Sequence, residues 1–311
     1  MTAPGLLVVG DLVTDVVALH GQPLTPDTDT TARISVRPGG SAANTAAWAG
    51  WMGADVRLLA RVGADAASWH REELVRCGVS PHLRIDERRP TAVVIALVDP
   101  AGERTFVTDR GASGALGPAD WDDSLLDGVG HLHLSGYLLF AGPGRDLAAL
   151  ASERARLRGV TVSVDPASVG YLEQLGCERF LGLLEGSGGV DLLLPNLAEA
   201  RALTGVEDPE QAALKLSAGC SCLVALKLGA AGALLARGGS LLGRAAPPEA
   251  GAVDTTGAGD AFAGSLLAAS LAGATPLEAA EAGCRAGAAA VGMVGGRPVA
   301  GAPAPVRRAG G

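Results

Sequence analysis

The chain has 311 residues, 48% of them hydrophobic, and a formal net charge of −8. That length and apolar content can bury a large globular core, while the acidic excess excludes a nucleic-acid partner, whose phosphates need many Lys and Arg; a single nucleotide, held by a few N–H groups, stays admissible. Cys77, Cys177, Cys220, Cys222 and Cys284 form an odd, scattered set that fits a reducing, cytoplasmic setting, and Asp11 and Asp15 interrupt the first apolar run before it reaches signal or membrane length.

In chain order, residues 6–10 predict a first strand. It ends in Gly10-Asp11-Leu12-Val13-Thr14-Asp15, at the kind of position where parallel sheets form ligand crevices. Residues 31–37 alternate polar and apolar side chains, as a half-exposed strand does, and Gly39-Gly40 marks a turn before a helix carrying Asn44. After a buried run at 56–62, part of 91–98 alternates again and meets 104–108 across Asp99-Pro100-Ala101-Gly102, a sequence suited to a type I turn. Further runs at 131–135, 160–164, 192–194 and 222–226 each adjoin a helical pattern. Thr275-Pro276-Leu277-Glu278 is a capping box that starts a helix running toward Val291. Its Ala and Gly residues imply close packing against the helix that begins near Asp260. From Gly295 the chain is rich in Gly, Pro and Ala and is expected to be irregular, fraying toward Gly311.

The alternation predicts an α/β fold with a mostly parallel sheet covered by helices on both faces. The two alternating segments, within about 12–38 and 88–110, read as antiparallel strands of a small projecting sheet that serves as a lid. No repeat or long linker divides residues 1–311, so a single domain is expected. Exposed lid strands offer edges for a homodimer.

The most informative stretch is Asp254-Thr255-Thr256-Gly257-Ala258-Gly259-Asp260-Ala261-Phe262. A small-residue turn delivers a carboxylate into a helix start, where N–H groups bind anions and an acid can take a proton from a hydroxyl attacking a bound phosphate. A lone Gly-x-Gly-Asp is usually just a turn with an acid favoured by the helix dipole, but Asp254, two threonines and Phe262 exceed what capping requires. Other candidates have equally plain readings. Asn196-x-x-Glu199 is a helix cap, Gly229 and Gly232 punctuate a hairpin, and Asp11 and Asp15 fit a solvated turn. His131 and His133 share a strand face without a third ligand, which favours a core role over a metal, and Cys220 and Cys222 read as buried packing. A P-loop is excluded, since no Gly-Lys-Ser/Thr follows a glycine-rich loop. A dinucleotide fold is disfavoured, because Gly10-Asp11 does not open a GxGxxG turn and Phe262 stands where its third glycine would.

These stretches resemble the ribokinase/PfkB carbohydrate kinase family. Residues 254–262 are similar to its C-terminal signature and 39–46 to its N-terminal one. Gly10–Asp15, Gly111–Ser113 with Leu116–Asp120, Asn196–Glu199 and Lys227–Gly232 also look like the family, so the likeness covers nearly the whole chain. The resemblance implies a three-layer α/β/α ribokinase-like sandwich with a small β-sheet lid, and ATP-dependent phosphorylation of a hydroxyl on a small sugar. It implies Asp260 as the catalytic base, with the N–H groups of Gly257, Ala258 and Gly259 as the anion hole. It assigns Asp11, Asp15, Gly39, Gly40 and Asn44 to the sugar. Asn196, Glu199, Lys227, Gly229 and Gly232 fall to ATP, with Glu199 ordering Mg²⁺ through water. Some relatives hold a K⁺-like ion, for which Asp254 and Thr256 are the candidates here. Arg104 and Arg110 suit a carboxylate or phosphate, as in ketodeoxygluconate or phosphosugar kinases, and Phe106 suits the base of a nucleoside. Aromatic residues are only 3% of the chain, which weighs against a base platform. A sugar is expected, with a nucleoside or sugar acid as alternatives. A non-catalytic sugar-binding regulator is the alternative of another class, and the intact turn with Asp260 argues against it.

Overall fold

The computed structural model describes residues 3–100, 103–251 and 254–298. All five residues of β1 (Gly5–Val9) are buried. Leu7 and Val9 belong to one apolar cluster and Leu6 and Val8 to another, the period-2 sorting of a strand covered on both faces. β2 (Val13–His20) and β3 (Ala32–Gly39) leave this sheet, and α1 (Ser41–Trp51), β4 (Val56–Gly63), α2 (Ala67–Arg76) and β5 (Val79–Asp86) return to it. β6 (Ala92–Val98) and β7 (Arg104–Asp109) then join β2 and β3. The main body resumes with β8 (Val129–Ser135), α3 (Gly136–Leu139), α4 (Gly142–Leu157), β9 (Thr161–Asp165), α5 (Val169–Leu175), α6 (Cys177–Gly186) and β10 (Leu192–Leu193). It closes with α7 (Leu197–Thr204), α8 (Pro209–Gly219), β11 (Leu223–Lys227), β12 (Ala233–Arg237), β13 (Ser240–Ala245), α9 (Ala258–Leu271) and α10 (Pro276–Val291).

The main sheet has the order β13-β12-β11-β10-β9-β8-β1-β4-β5. It is parallel from β11 to β5, with β12 and β13 antiparallel at one edge. α1, α2, α9 and α10 cover one face, and α4 to α8 the other. The architecture is the α/β/α sandwich expected. No helix among the described residues is long and apolar enough to cross a membrane.

The second sheet has the order β3-β2-β6-β7. Its β2–β3 and β6–β7 pairs are antiparallel, as short connections require, but β2 and β6 run parallel. The expectation of an all-antiparallel lid is therefore corrected. β2 and β6 each emerge from a different strand of the main sheet, so no hairpin reverses one against the other. Of the expected turn between β6 and β7, Ala101 and Gly102 lie outside the described residues.

Residues 295–298 are irregular, as expected, and are held by hydrogen bonds; the fraying expected toward Gly311 falls outside the described residues. Gly295 N–H donates to Asp254 Oδ2 (3.0 Å), the Trp48 indole to Gly296 O (3.0 Å), and Arg297 is buried. Residues 299–311 lie outside the described chain. His131 and His133 are core groups as expected: both hydrogen-bond the Ser163 hydroxyl, at 2.7 and 2.8 Å, and burial holds each imidazole neutral with a pKa near 3. The five cysteines are free thiols, Cys222 buried and Cys220 partly exposed.

Small residues set how closely α9 meets its neighbours. A Cβ on Gly283 of α10 would lie 2.7 Å from the Phe262 ring, and one on Gly264 of α9 would lie 2.3 Å from Thr45 O in α1. Gly264→Ala should therefore lower unfolding stability by about 1–3 kcal/mol through overpacking. Gly182→Ala in α6, where an added Cβ meets nothing within 4 Å, should be neutral or stabilising by up to about 1 kcal/mol. Urea denaturation of the two variants checks the contrast.

Candidate active site

A cavity of about 760 Å³ opens at the carboxyl ends of the parallel strands, roofed by the inner face of the second sheet. Ligand crevices of open α/β sheets form at this edge. Gly10 and Asp11 after β1, Asp165 at the end of β9 and Lys227 at the end of β11 all line it. From the second sheet come Val13, Asp15, Val94, Phe106 and Thr108.

Asp260 faces this cavity from the first turn of α9. Gly257 caps the helix in the left-handed region, φ 75°, and a Cβ there would meet Gly296 Cα at 2.4 Å, so only glycine fits. Thr256 and Gly259 line the cavity with Asp260, whereas Gly257 and Ala258 do not. Ala258 N–H turns back to Thr255 O at 3.4 Å. Asp260 Oδ1 accepts from the Ser41 hydroxyl at 2.8 Å, and Oδ2 from the Asn44 amide at 3.0 Å. Burial pushes the Asp260 pKa up to about 7, while those two hydrogen bonds and Lys227 restrain the rise.

Asn44 was expected to meet substrate. It is instead buried off the cavity lining, its NH₂ donated to Asp260 and its oxygen accepting from Arg297 at 3.2 Å. Asp11 is occupied as well. Its carboxylate accepts from the N–H groups of Ser41 and Ala42, at 2.6 and 3.2 Å, and from the Ser135 hydroxyl at 2.8 Å, capping α1. Gly40, φ 96°, lines the cavity and leaves no space for a Cβ, which would sit 2.7 Å from Asp11 O. Gly39 lies off the lining, where a Cβ would collide with the Asp15 carboxylate. Asp15 itself faces the cavity, and burial lifts its pKa to about 6.

A second polar group lies across from Asp260. Lys227 Nζ donates to Asp165 Oδ2 at 2.5 Å. Asn196 and Glu199 form the capping box: Asn196 N–H donates to Glu199 Oε2 (2.8 Å), Asn196 Nδ2 to Oε1 (2.6 Å), and Glu199 N–H to Asn196 Oδ1 (2.9 Å). Glu199 is 1% exposed yet lines the cavity, and burial raises its pKa to about 7, with Asp165 adding repulsion. Burial lowers the Lys227 pKa, but Asp165 and Glu199 more than offset this and hold the ammonium charged. Gly229 lines the cavity. Gly232 does not: φ 86° and Ala245 O, 2.0 Å from its would-be Cβ, make it a backbone requirement.

Asp254 accepts from Thr256 N–H at 2.9 Å and Gly295 N–H at 3.0 Å, tying the turn to the C-terminal segment. The described residues contain no cluster of three or more His, Cys, Asp or Glu able to hold a metal. Arg110 lines the cavity, donates to Tyr137 O at 2.7 Å and stands 5.9 Å over the Tyr171 ring. Arg104 begins β7, and its side chain lies outside what is described.

Sequence reasoning missed Ser41, Tyr137, Asp165, Tyr171 and Arg297. Asp165 had a usable signal: like Asp11, it ends an apolar run. Ala167, which follows it into the cavity wall, has φ 72°, a conformation uncommon outside glycine that clusters at functional sites.

Fold and site together define a small-molecule kinase, with a half-buried acid at a helix tip facing a roofed crevice. The sequence profile of the pfkB family carbohydrate kinases matches residues 3–301. The chain belongs to that family. It is 33% identical over 264 residues to a 2-dehydro-3-deoxygluconokinase of Thermoproteus tenax, covering 82% of this chain and 80% of that protein. Over 234 residues it is 35% identical to an ATP-dependent ribose-1-phosphate kinase of Halopiger xanaduensis, covering 74% and 72%. Among solved structures, an adenosine kinase from Sinorhizobium meliloti superposes with a TM-score of 0.85 at 26% identity, covering 96% of this chain and 97% of that one. A putative ribokinase II from E. coli in complex with ATP and Mg²⁺ shares the fold, TM-score 0.83 at 23% identity, with 94% of each chain covered.

Lys227 is the ammonium among these buried acids, so Lys227→Met should cost about 3 kcal/mol or more. Without it the pKa values of Glu199 and Asp260, already raised to about 7, rise further, so above that pH the folded variant retains protons that the wild type has released. The deficit relative to wild type should therefore grow as pH rises through about 7 and shrink on acidification. Urea denaturation at several pH values measures both effects.

Proposed function

We propose that this chain transfers the γ-phosphoryl group of ATP to a hydroxyl of a small sugar, with Asp260 as the base. One observation carries the reading: a carboxylate at the tip of α9, facing the cavity, whose pKa burial has moved to about 7, where a general base is most effective. Asp260 takes the hydroxyl proton as the sugar oxygen attacks the γ-phosphorus, and ADP departs on the far side. Of the expected anion-hole residues only Gly259 lines the cavity, and its N–H, in the first turn of α9 where no intrahelical partner exists, would meet the charge on the transferring oxygens.

The residues also fit a magnesium–nucleotide complex. Asp165, Glu199 and Asp260 face one ammonium, Lys227, which leaves a net negative charge under the phosphate site. Mg²⁺ needs few protein carboxylates and keeps several waters, so Asp165 and Glu199 would hold it chiefly through water, where it would neutralise phosphate charge. Asp15, carried on the second sheet, would meet the sugar hydroxyls. We read that sheet as a lid whose closure excludes water and limits futile ATP hydrolysis.

A sugar acid or phosphosugar is the second reading. It is favoured by Arg110, whose guanidinium lines the cavity in addition to the Lys227 ammonium.

The outer face of the lid supports the homodimer. Register places Val36, Val16, Ile95 and Val107 side by side across its four strands, and Ile34, Val36 and Val107 are more than half exposed. A patch of that kind marks an association surface.

Asp260→Asn should keep the fold and lose roughly 10²- to 10⁴-fold in kcat. In the wild type, kcat/KM should fall as pH drops through about 7, because the protonated carboxyl cannot accept the hydroxyl proton. An ADP-release assay over free sugars, sugar acids, sugar phosphates and nucleosides tests the substrate, and near-normal turnover by Asp260→Asn would refute the mechanism. Ile34→Glu should convert a dimer to monomer in light scattering after size exclusion; a wild type that is monomeric at high concentration contradicts the interface.

A further inference from the structure

Arg297 is 8% exposed and lies beyond the end of α10, in the glycine-rich stretch that packs against the anion turn. Burying a guanidinium is unfavourable unless good partners compensate. Its partners here are two uncharged oxygens: Nε donates to Asn44 Oδ1 at 3.2 Å and Nη2 to Gly39 O at 2.9 Å. Nη1 is buried without a hydrogen-bond partner among the described residues. Burial brings the Arg297 pKa down to about 10, against the pull of Cys77, Asp15, Glu73 and Asp260. As a stabiliser this arrangement is poor.

What the contact does fix is the direction of an amide. Asn44 can present either its oxygen or its NH₂ to a neighbour, and the two choices have opposite consequences for a carboxylate. With Arg297 Nε–H on Oδ1, the NH₂ must point at Asp260 Oδ2, 3.0 Å away. The flipped amide would set an oxygen against the base. Gly296 backs the same amide so closely that a Cβ there would lie 2.4 Å from Asn44 Nδ2. The other prong of the guanidinium grips Gly39, the last residue of β3, where the second sheet meets the main body.

We propose that Arg297 is a positioning residue for phosphoryl transfer: through Asn44 it holds Asp260 in register, and through Gly39 it ties that register to the root of the lid. The inference rests on Asp260 being the base. The other groups facing Asp260 are Ser41 from α1, Tyr137 from α3, Asp165 from β9, Glu199 from α7 and Lys227 from β11. Facing Arg297 are Asp15 from β2 and His70, Glu73 and Cys77 from α2, with burial keeping His70 neutral at a pKa near 3. All of these persist when Arg297 alone is changed.

The test compares Arg297→Met, Arg297→Lys and Asp260→Asn for kcat, KM, the pH profile of kcat and thermal stability. Arg297→Met should lose roughly 10- to 100-fold in kcat with KM for ATP little changed. Its acid limb should move to higher pH by about half a unit or more, because the base loses an oriented donor. Placed in an Asn44→Ala background, the same change should add less than roughly threefold, since its route is already cut. Wild-type kcat and an unmoved acid limb in Arg297→Met overturn the proposal, as does a full additional loss in the Asn44→Ala background. If Arg297→Met does not fold, Arg297→Lys decides by the same two readouts, because one ammonium cannot span both acceptors. An active Asp260→Asn would remove the base assignment itself, whereas an inactive Asp260→Asn beside an unaffected Arg297→Met removes only this inference.

Discussion

A carboxylate partly withdrawn from water at a helix tip governs how the parts of this protein are arranged. Burial alone would hold Asp260 protonated, and full exposure would leave it the proton affinity of an ordinary carboxylate. The structure lies between these limits because Ser41 and Asn44 each donate one hydrogen bond to it from α1. Those donors reach it only if α1 and α9 approach closely, which the missing side chain of Gly264 permits. Helix packing and proton affinity are in this sense one property.

The same trade recurs across the cavity floor. Asp165, Glu199 and Lys227 are buried polar groups whose removal from water opposes folding, and their mutual attraction offsets that only in part. A chain optimised for stability would fill the space with apolar side chains. Here the main sheet, saturated with Leu, Val and Ala on both faces, supplies the stability that lets its carboxyl edge remain charged. Asp11 shows how locally this is arranged, since one carboxylate caps α1, meets Ser135 and shapes the cavity wall.

The second sheet divides its labour by strand periodicity. Residues of one parity, among them Asp15, Val94 and Phe106, turn toward the cavity, while Val36, Ile95 and Val107 turn away from it. One short sheet thus offers a roof to the cavity and an apolar face to solvent.

Alternating apolar runs and helical patterns were enough to predict a parallel sheet covered on both faces, because burial leaves a period of 2 or 3.6 in the residues themselves. The turn at 254–260 was legible for a related reason: a left-handed cap and a helix-borne acid need particular residue types within a few positions. Glu199 and Asn196 were legible as a cap, and their local box is what formed. Long-range pairings left no such trace. That Asn44 would hydrogen-bond Asp260 depends on residues 216 apart in the chain, and Arg297 reaches Asn44 across 253. Nor does local pattern state that β2 and β6 run parallel, since that follows from where each strand leaves the main sheet. The sequence by itself determined the elements, their layers and the chemistry of the helix tip, because these are written in short-range periodicity and local backbone geometry. Which donors surround Asp260 and how far its charge is compensated came from the folded structure alone, because desolvation and hydrogen bonding depend on groups brought together from distant parts of the chain.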